Sequence, residues 1–165
     1  MTEASTGANE DGLIKFSLGK VYLKDASLEA PNSPDAFLDE SDWNPKVTLQ
    51  YKIDTRDISD DKHDVLLTVT ITASEDTRTI FLVEVQQGGI FLIRDANDPA
   101  RVERILNVRC PKILFPYARE SIDSLIVKAG FAPLMLNPLD FALAYDRKRA
   151  NANTAGQASG QDAAE

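Results

Sequence analysis

Residues 79–92 read TIFLVEVQQGGIFL and give the strongest indication of how this chain folds. They predict a β-strand that is apolar on both faces until Glu84. A strand with one face in water alternates apolar and polar residues, so we expect this strand to be covered on both of its faces. The pair Gly88-Gly89 predicts a kink within the strand.

Three further strands are predicted ahead of this one. Residues 46–54 alternate cleanly, and their apolar face consists of Val47, Leu49, Tyr51 and Ile53. Residues 65–74 alternate in the same way, with the polar face made of Thr68, Thr70, Thr72 and Ser74. The acidic residues 57–64 predict a turn between these two strands. Residues 13–28 alternate less regularly, and Gly19 indicates a bulge or bend there.

Helices are predicted after the strands. Pro99 and Pro111 each suit the first turn of a helix, which predicts helices over residues 99–109 and 111–129. Pro116 should kink the second helix or delay its start, and Gly130 should end it. Asn137 followed by proline predicts a last helix, through about residue 149. Strands followed by helices indicate an α+β fold.

A length of 165 residues suits one domain, which we place at residues 13–149. Residues 1–12 and 150–165 are predicted to be disordered tails, because they carry almost no large apolar side chain to bury. No signal-peptide pattern and no apolar run of about 20 residues stands out, and there is a single cysteine. These features predict a soluble, cytoplasmic protein that does not insert into membranes.

The sequence offers little for catalysis or for ligand binding. The formal net charge of −8 argues against a nucleic-acid partner, since phosphate contacts need clustered basic residues and only residues 147–149 supply them. His63 is the only histidine, so we interpret it as a solvated turn residue rather than a metal ligand. Cys110 is interpreted as a buried small apolar residue. We therefore expect no enzyme, no metal and no cofactor.

The informative surfaces are apolar. Phe37 and Trp43 lie in residues 30–45, a stretch with three prolines that predicts a long irregular connection at the surface. The two aromatic residues could simply pin that connection to the sheet. They could also line a groove for extended apolar segments of another chain.

Five stretches resemble the SecB family of protein-export chaperones. They are residues 81–91 (FLVEVQQGGIF), 110–120 (CPKILFPYARE), 22–32 (YLKDASLEAPN), 42–45 (DWNP) and 136–141 (LNPLDF). The resemblance runs in order over roughly residues 14–145. It implies a four-stranded antiparallel sheet with C-terminal helices packed on it. It also implies an ATP-independent holdase that binds unfolded preproteins and delivers them to the SecA translocase motor.

The resemblance also implies particular residue roles. Asp25, Glu29, Leu82 and Glu84 match the family's docking surface for the motor, and their spacing in extended segments lets each pair share a face. On the other face of the last strand, the family's tetramer contact matches Val83, Val85 and Gln87. The expected assembly is a homotetramer, a dimer of dimers. Phe37 and Trp43 fall in the connection that lines the client groove.

Two other functions stay open at this point. A SecB-like chaperone of a toxin–antitoxin system would share the fold, although the docking residues Leu82 and Glu84 favour the export role. A small hydrolase or isomerase on an α+β sheet is the enzymatic alternative.

Overall fold

One antiparallel sheet of four strands organises the molecule, in the order β1-β4-β3-β2. The strands are β1 (Lys15–Glu29), β2 (Lys46–Ser59), β3 (Lys62–Glu75) and β4 (Arg78–Arg94). This computed structural model describes residues 14–38 and 44–158, with side chains through residue 154. The predicted α+β class and the antiparallel four-stranded sheet are confirmed.

The helices follow the sheet in the chain. They are α1 (Pro99–Arg104), a π-helical turn (Ile105–Arg109), α2 (Cys110–Lys128) and α3 (Phe141–Ala158). A short 3-10 turn, Asp35–Phe37, lies in the connection between β1 and β2.

Strand β4 divides its side chains between two faces of the sheet. On the side of α2, Phe81, Val83 and Val85 are completely buried. The face opposite α2, which we call the open face, carries Leu82 and Glu84, and both are partly exposed. The expectation that β4 is covered on both faces is therefore met on one face only within a single chain. The reason is that the chain's described helices pack against one side of the sheet.

The Gly88-Gly89 pair allows close approach on both faces and does not interrupt the strand. Both residues pair with β1 and β3 without a register shift, so the predicted kink does not break the ladder. A Cβ atom on Gly88 would overlap the ring of Tyr22 on the open face. A Cβ atom on Gly89 would lie 2.8 Å from Cδ2 of Leu114 in α2. The missing side chain of Gly88 thus leaves room for the ring of Tyr22, and that of Gly89 leaves room for Leu114.

The predicted bulge at Gly19 is confirmed, because the register between β1 and β4 shifts between Leu18 and Lys20. The acidic turn is shorter than predicted, since β2 and β3 pair up to Ser59 and Lys62. His63 accordingly lies within β3 and is buried, with Nδ1 2.7 Å from Oδ1 of Asp57. Its interpretation as a solvated turn residue was wrong, because strand pairing continues through the acidic run.

The helices predicted over residues 99–109 and 111–129 form one continuous helical segment, which runs from α1 through the π-helical turn into α2. Asp98 caps α1, accepting a hydrogen bond from the amide of Ala100 at 3.0 Å, and Pro99 begins the helix as predicted. Helix α2 begins one residue before Pro111 and continues through Pro116, rather than starting after it. Gly130 ends the segment as predicted, with φ of 95° and a hydrogen bond from its amide to Val127.

Helix α3 differs from its prediction at both ends. It begins at Phe141 rather than at Asn137, because Asp140 supplies the capping carboxylate to the amide of Leu143 at 2.9 Å. It continues to Ala158, so residues 150–158, predicted to be disordered, are helical. The prediction rested on the lack of large apolar side chains to bury. Alanine at four of these nine positions favours a helix, whereas Thr154, Gly156 and two asparagines disfavour it, so helix propensity alone does not explain the extension.

We expect Gly89→Ala to destabilise the fold, because the added methyl group would press on Leu114 and on the ring of Phe91 inside the core. Overpacking of this kind costs about 1–3 kcal/mol, and each kcal/mol lowers Tm by roughly 2–4 °C in a domain of this size. Gly19→Ala is the milder comparison on the neighbouring strand, since a Cβ there would lie 3.2 Å from Cδ1 of Leu92 and 3.3 Å from the carbonyl oxygen of Ile90, both longer than the 2.8 Å contacts at Gly89. Thermal unfolding followed by circular dichroism measures both. A Gly89→Ala protein as stable as the wild type would contradict the close packing of α2 on β4.

Candidate functional site

The open face brings the four predicted docking residues together on two neighbouring strands. Glu29 of β1 pairs directly with Leu82 of β4, and Asp25 pairs with Gln86. Between these two rows, Glu84 pairs with Ser27. The spacing in the sequence predicted that each pair shares a face, and the register places both pairs on the same face. Their role in docking stays a prediction.

The carboxylate of Glu84 is held by a neighbour on its other side. Thr70 of β3 pairs with Glu84, and its hydroxyl donates a 2.9 Å hydrogen bond to Oε2. Sequence reasoning placed Thr70 on a polar strand face but did not connect it to Glu84. Only the register of β3 against β4 shows this contact.

The four predicted docking residues concentrate negative charge. Asp25, Glu29 and Glu84 make no ion pair with another described residue, and Asp25 and Glu29 are exposed. Unpaired carboxylates at neighbouring positions repel one another and attract a cationic partner. Leu82 adds a partly exposed apolar side chain beside them. The arrangement suits a basic segment that also carries an apolar residue.

At the end of the open face near Gly88, the negative charge of Asp64 is compensated by its neighbours. Tyr22 lies across Gly88 and donates a 2.6 Å hydrogen bond to Oδ1 of Asp64. Arg56 lies 3.3 Å from the other oxygen of the same carboxylate. Burial and the bond to Asp64 raise the pKa of Tyr22 to about 12, so the phenol stays protonated as a donor. The unpaired negative charge is therefore confined to the end near Glu29.

The predicted tetramer contacts lie on the side of α2. Val83 and Val85 are completely buried by residues of their own chain. Gln87 is also buried, and its Nε2 donates a 2.7 Å hydrogen bond to the carbonyl oxygen of Tyr22. These three residues belong to the core of one protomer, and their role as contacts between chains stays a prediction.

Phe37 both anchors its connection to the sheet and exposes part of its ring, which the sequence left as alternatives. Its ring packs on Phe131 with centroids 4.9 Å apart, and Phe131 in turn packs on Phe81 at 5.1 Å. Phe37 therefore pins its connection to the end of the sheet. It is nevertheless 48% exposed, so part of the ring remains accessible. Trp43, the other predicted groove residue, lies outside the described residues.

The apolar surface around Phe37 continues towards the edge strand β2. On the α2 side, Phe81 pairs with Ala73, which pairs with Val47. Val47 is 41% exposed. Tyr51, further along the same row of β2, meets the ring of Phe141 edge-on at 5.2 Å and is also partly exposed. We call Phe37, Val47 and Tyr51 the apolar strip.

The surroundings of Cys110 disfavour a reactive thiol. Cys110 is buried as predicted, and burial raises the pKa of its thiol to about 12, which suppresses the reactive thiolate.

Over residues 14–38 and 44–158, no group of three or more His, Cys, Asp or Glu side chains could hold a metal ion. None of the helices in this part of the chain is long and apolar enough to span a bilayer.

The sequence matches the family described as preprotein translocase subunit SecB over residues 9–152. A curated relative from Pseudomonas aeruginosa, named protein-export protein SecB, is 42% identical over 160 residues, covering 95% of this chain and 96% of the relative. The protein of the same name from Hahella chejuensis is 46% identical over 130 residues, covering 79% and 80% of the two chains.

A solved structure shares the fold. The SecB-like chaperone of Mycobacterium tuberculosis, in complex with a peptide from an antitoxin, superimposes with a TM-score of 0.62 over 75% of this chain and 90% of that one. Its sequence identity is 13%, so this likeness concerns the fold alone. The family match and the relatives at 42–46% identity decide the question: the chain belongs to the SecB family of protein-export chaperones.

Proposed function

We propose that this chain is an ATP-independent holdase that binds unfolded preproteins and delivers them to the SecA translocase motor in the cytoplasm. The observation that carries the proposal is the convergence of Asp25, Glu29, Leu82 and Glu84 on the open face. The relatives at 42–46% identity are export proteins by name, which supports the export role over the toxin–antitoxin alternative.

The open face is proposed as the docking site for the motor. The family resemblance implies a basic, zinc-containing tail on the motor, and the zinc belongs to that partner. Three unpaired carboxylates around Leu82 complement such a tail in charge and offer it one apolar contact. Complementary charge raises the rate of encounter and fixes the orientation of docking.

Clients are proposed to bind on the opposite side, along the apolar strip. Phe37, Val47 and Tyr51 expose apolar surface beside the outer edge of β2, which among the described strands pairs with β3 alone. An extended chain can use such an edge for backbone hydrogen bonds while its side chains meet apolar neighbours. Trp43 belongs to the same proposal through the family resemblance.

The proposed assembly is a homotetramer, a dimer of dimers. Support comes from apolar side chains that one chain leaves uncovered. Leu18 and Leu23 of β1 are 40% and 52% exposed, although they share the α2 side with Phe91 and Gln87. Because Val83 is already buried in the protomer core, an aspartate there would disrupt the protomer as well as any contact between chains.

Native mass spectrometry tests client binding and assembly together. We expect the mass of four chains of 18.1 kDa each, and a gain in mass when a reduced, unfolded protein is added without nucleotide. The same client in its folded form should add nothing, because its apolar segments are already buried. A monomer, or client binding that requires ATP, would contradict the proposal.

Calorimetry with the motor's C-terminal tail tests the docking site. We expect Glu84→Lys to weaken binding at least about tenfold, or 1.4 kcal/mol, because it replaces attraction by repulsion. The client interaction should not change, since Glu84 and the apolar strip lie on opposite faces. Added salt should weaken the wild-type complex and narrow its difference from the variant.

Glu103→Lys is the matched control for the charge change. Glu103 is an exposed carboxylate on α1, outside the open face, so the same reversal there should leave tail affinity close to that of the wild type. Equal loss of affinity in both variants would show that net charge, rather than the open face, determines tail binding. Equal affinity of the wild type and Glu84→Lys at low salt would remove Glu84 from the docking surface.

A further inference from the structure

The open face of β3 carries threonines at three alternate positions, and one of them donates a hydrogen bond to Glu84. Thr68, Thr70 and Thr72 pair with Gln86, Glu84 and Leu82 respectively. The hydroxyl of Thr70 lies 2.9 Å from Oε2 of Glu84. The docking residues inferred from the family resemblance lie on β1 and β4, whereas Thr70 lies on the strand beyond them.

A hydrogen bond at this place restricts a flexible side chain. Free glutamate side chains lose substantial rotamer entropy when they are ordered at an interface. Thr70 reduces this cost, because it holds the carboxylate before the partner arrives. Threonine is suited to the task, since its β-branched side chain has restricted χ1 rotamers and so directs its hydroxyl.

The bond also leaves Glu84 able to accept from a partner. A carboxylate has two oxygens and about four lone-pair sites, and Thr70 occupies one site on Oε2. The hydroxyl bond leaves the negative charge in place. Oε1 therefore stays available to a lysine or arginine beside Leu82.

We propose that Thr70 is a positioning residue of the docking surface: it holds the Glu84 carboxylate ready for the cationic side chain of a basic partner segment. The proposal rests on the docking function proposed above and extends that surface to a third strand. Thr70 acts through Glu84 and need not touch the partner.

Thr70→Val tests the proposal, because valine keeps the shape and the strand preference of threonine but has no hydroxyl. We expect binding of the motor's C-terminal tail to weaken about threefold to tenfold. Thr70→Ser retains the hydroxyl and should restore affinity to within about twofold of the wild type. Thr68→Val is the matched control on the same face of the same strand, where the neighbour is Gln86, and should bind like the wild type.

A double-mutant cycle separates positioning from a general structural effect. In a Glu84→Ala background the carboxylate is gone, so Thr70→Val should cause no further loss of tail affinity. An equal loss in both backgrounds would overturn the proposal. Thermal unfolding of each variant checks the fold, and Thr70→Ala replaces Thr70→Val in the cycle if the valine variant does not fold.

The same measurements distinguish the two proposals. If the wild type does not bind the tail at all, the docking function itself is wrong. If the wild type binds and Glu84→Ala weakens binding, but Thr70→Val binds like the wild type, docking stands and the role of Thr70 is overturned.

Discussion

The alternation of side chains along the middle of β4 fixes both the core and the open face. Val83 and Val85 lie in the core beneath the helices, so Leu82 and Glu84 between them must lie on the open face. A slip of one residue would move the carboxylate into the core and the valines into solvent. The packing of the core and the geometry of the proposed docking surface are thus fixed by one register.

Alternation in the sequence predicted the faces of the strands but not their neighbours. The spacing of Asp25 and Glu29 showed that they share a face, yet their closeness to Leu82 depends on β1 pairing with β4 rather than with β2. This strand order brings distant parts of the chain together, and no local pattern encodes it. The contact between Thr70 and Glu84 was missed for the same reason.

The position of His63 and the end of α3 also differ from what the local sequence pattern predicted. His63 was assigned to a turn because its neighbours are acidic, but pairing between β2 and β3 continues through those residues. The end of α3 was placed at about Arg149 because no large apolar side chain follows it, whereas the helix continues to Ala158 without one. Alternation separated Val83 from Leu82 correctly. It could not show that the chain's own residues cover Val83 completely.

The proposed arrangement assigns clients and the motor to opposite sides of one sheet. The apolar strip shares its side with α2, while the proposed acidic docking surface lies on the open face. Binding on opposite faces would let a chaperone hold a client while the motor docks, without competition for the same residues. The charge distribution agrees with this division, since the unpaired carboxylates of the docking surface lie away from the strip.

Methyl NMR can show which face of β4 meets the motor, because adjacent residues of this strand report on opposite faces. When the motor's C-terminal tail is titrated in, we expect progressive shifts of the Leu82 methyl resonances and unchanged resonances for Val83 and Val85. Shifts at Val83 and Val85 with Leu82 unaffected would contradict docking on the open face.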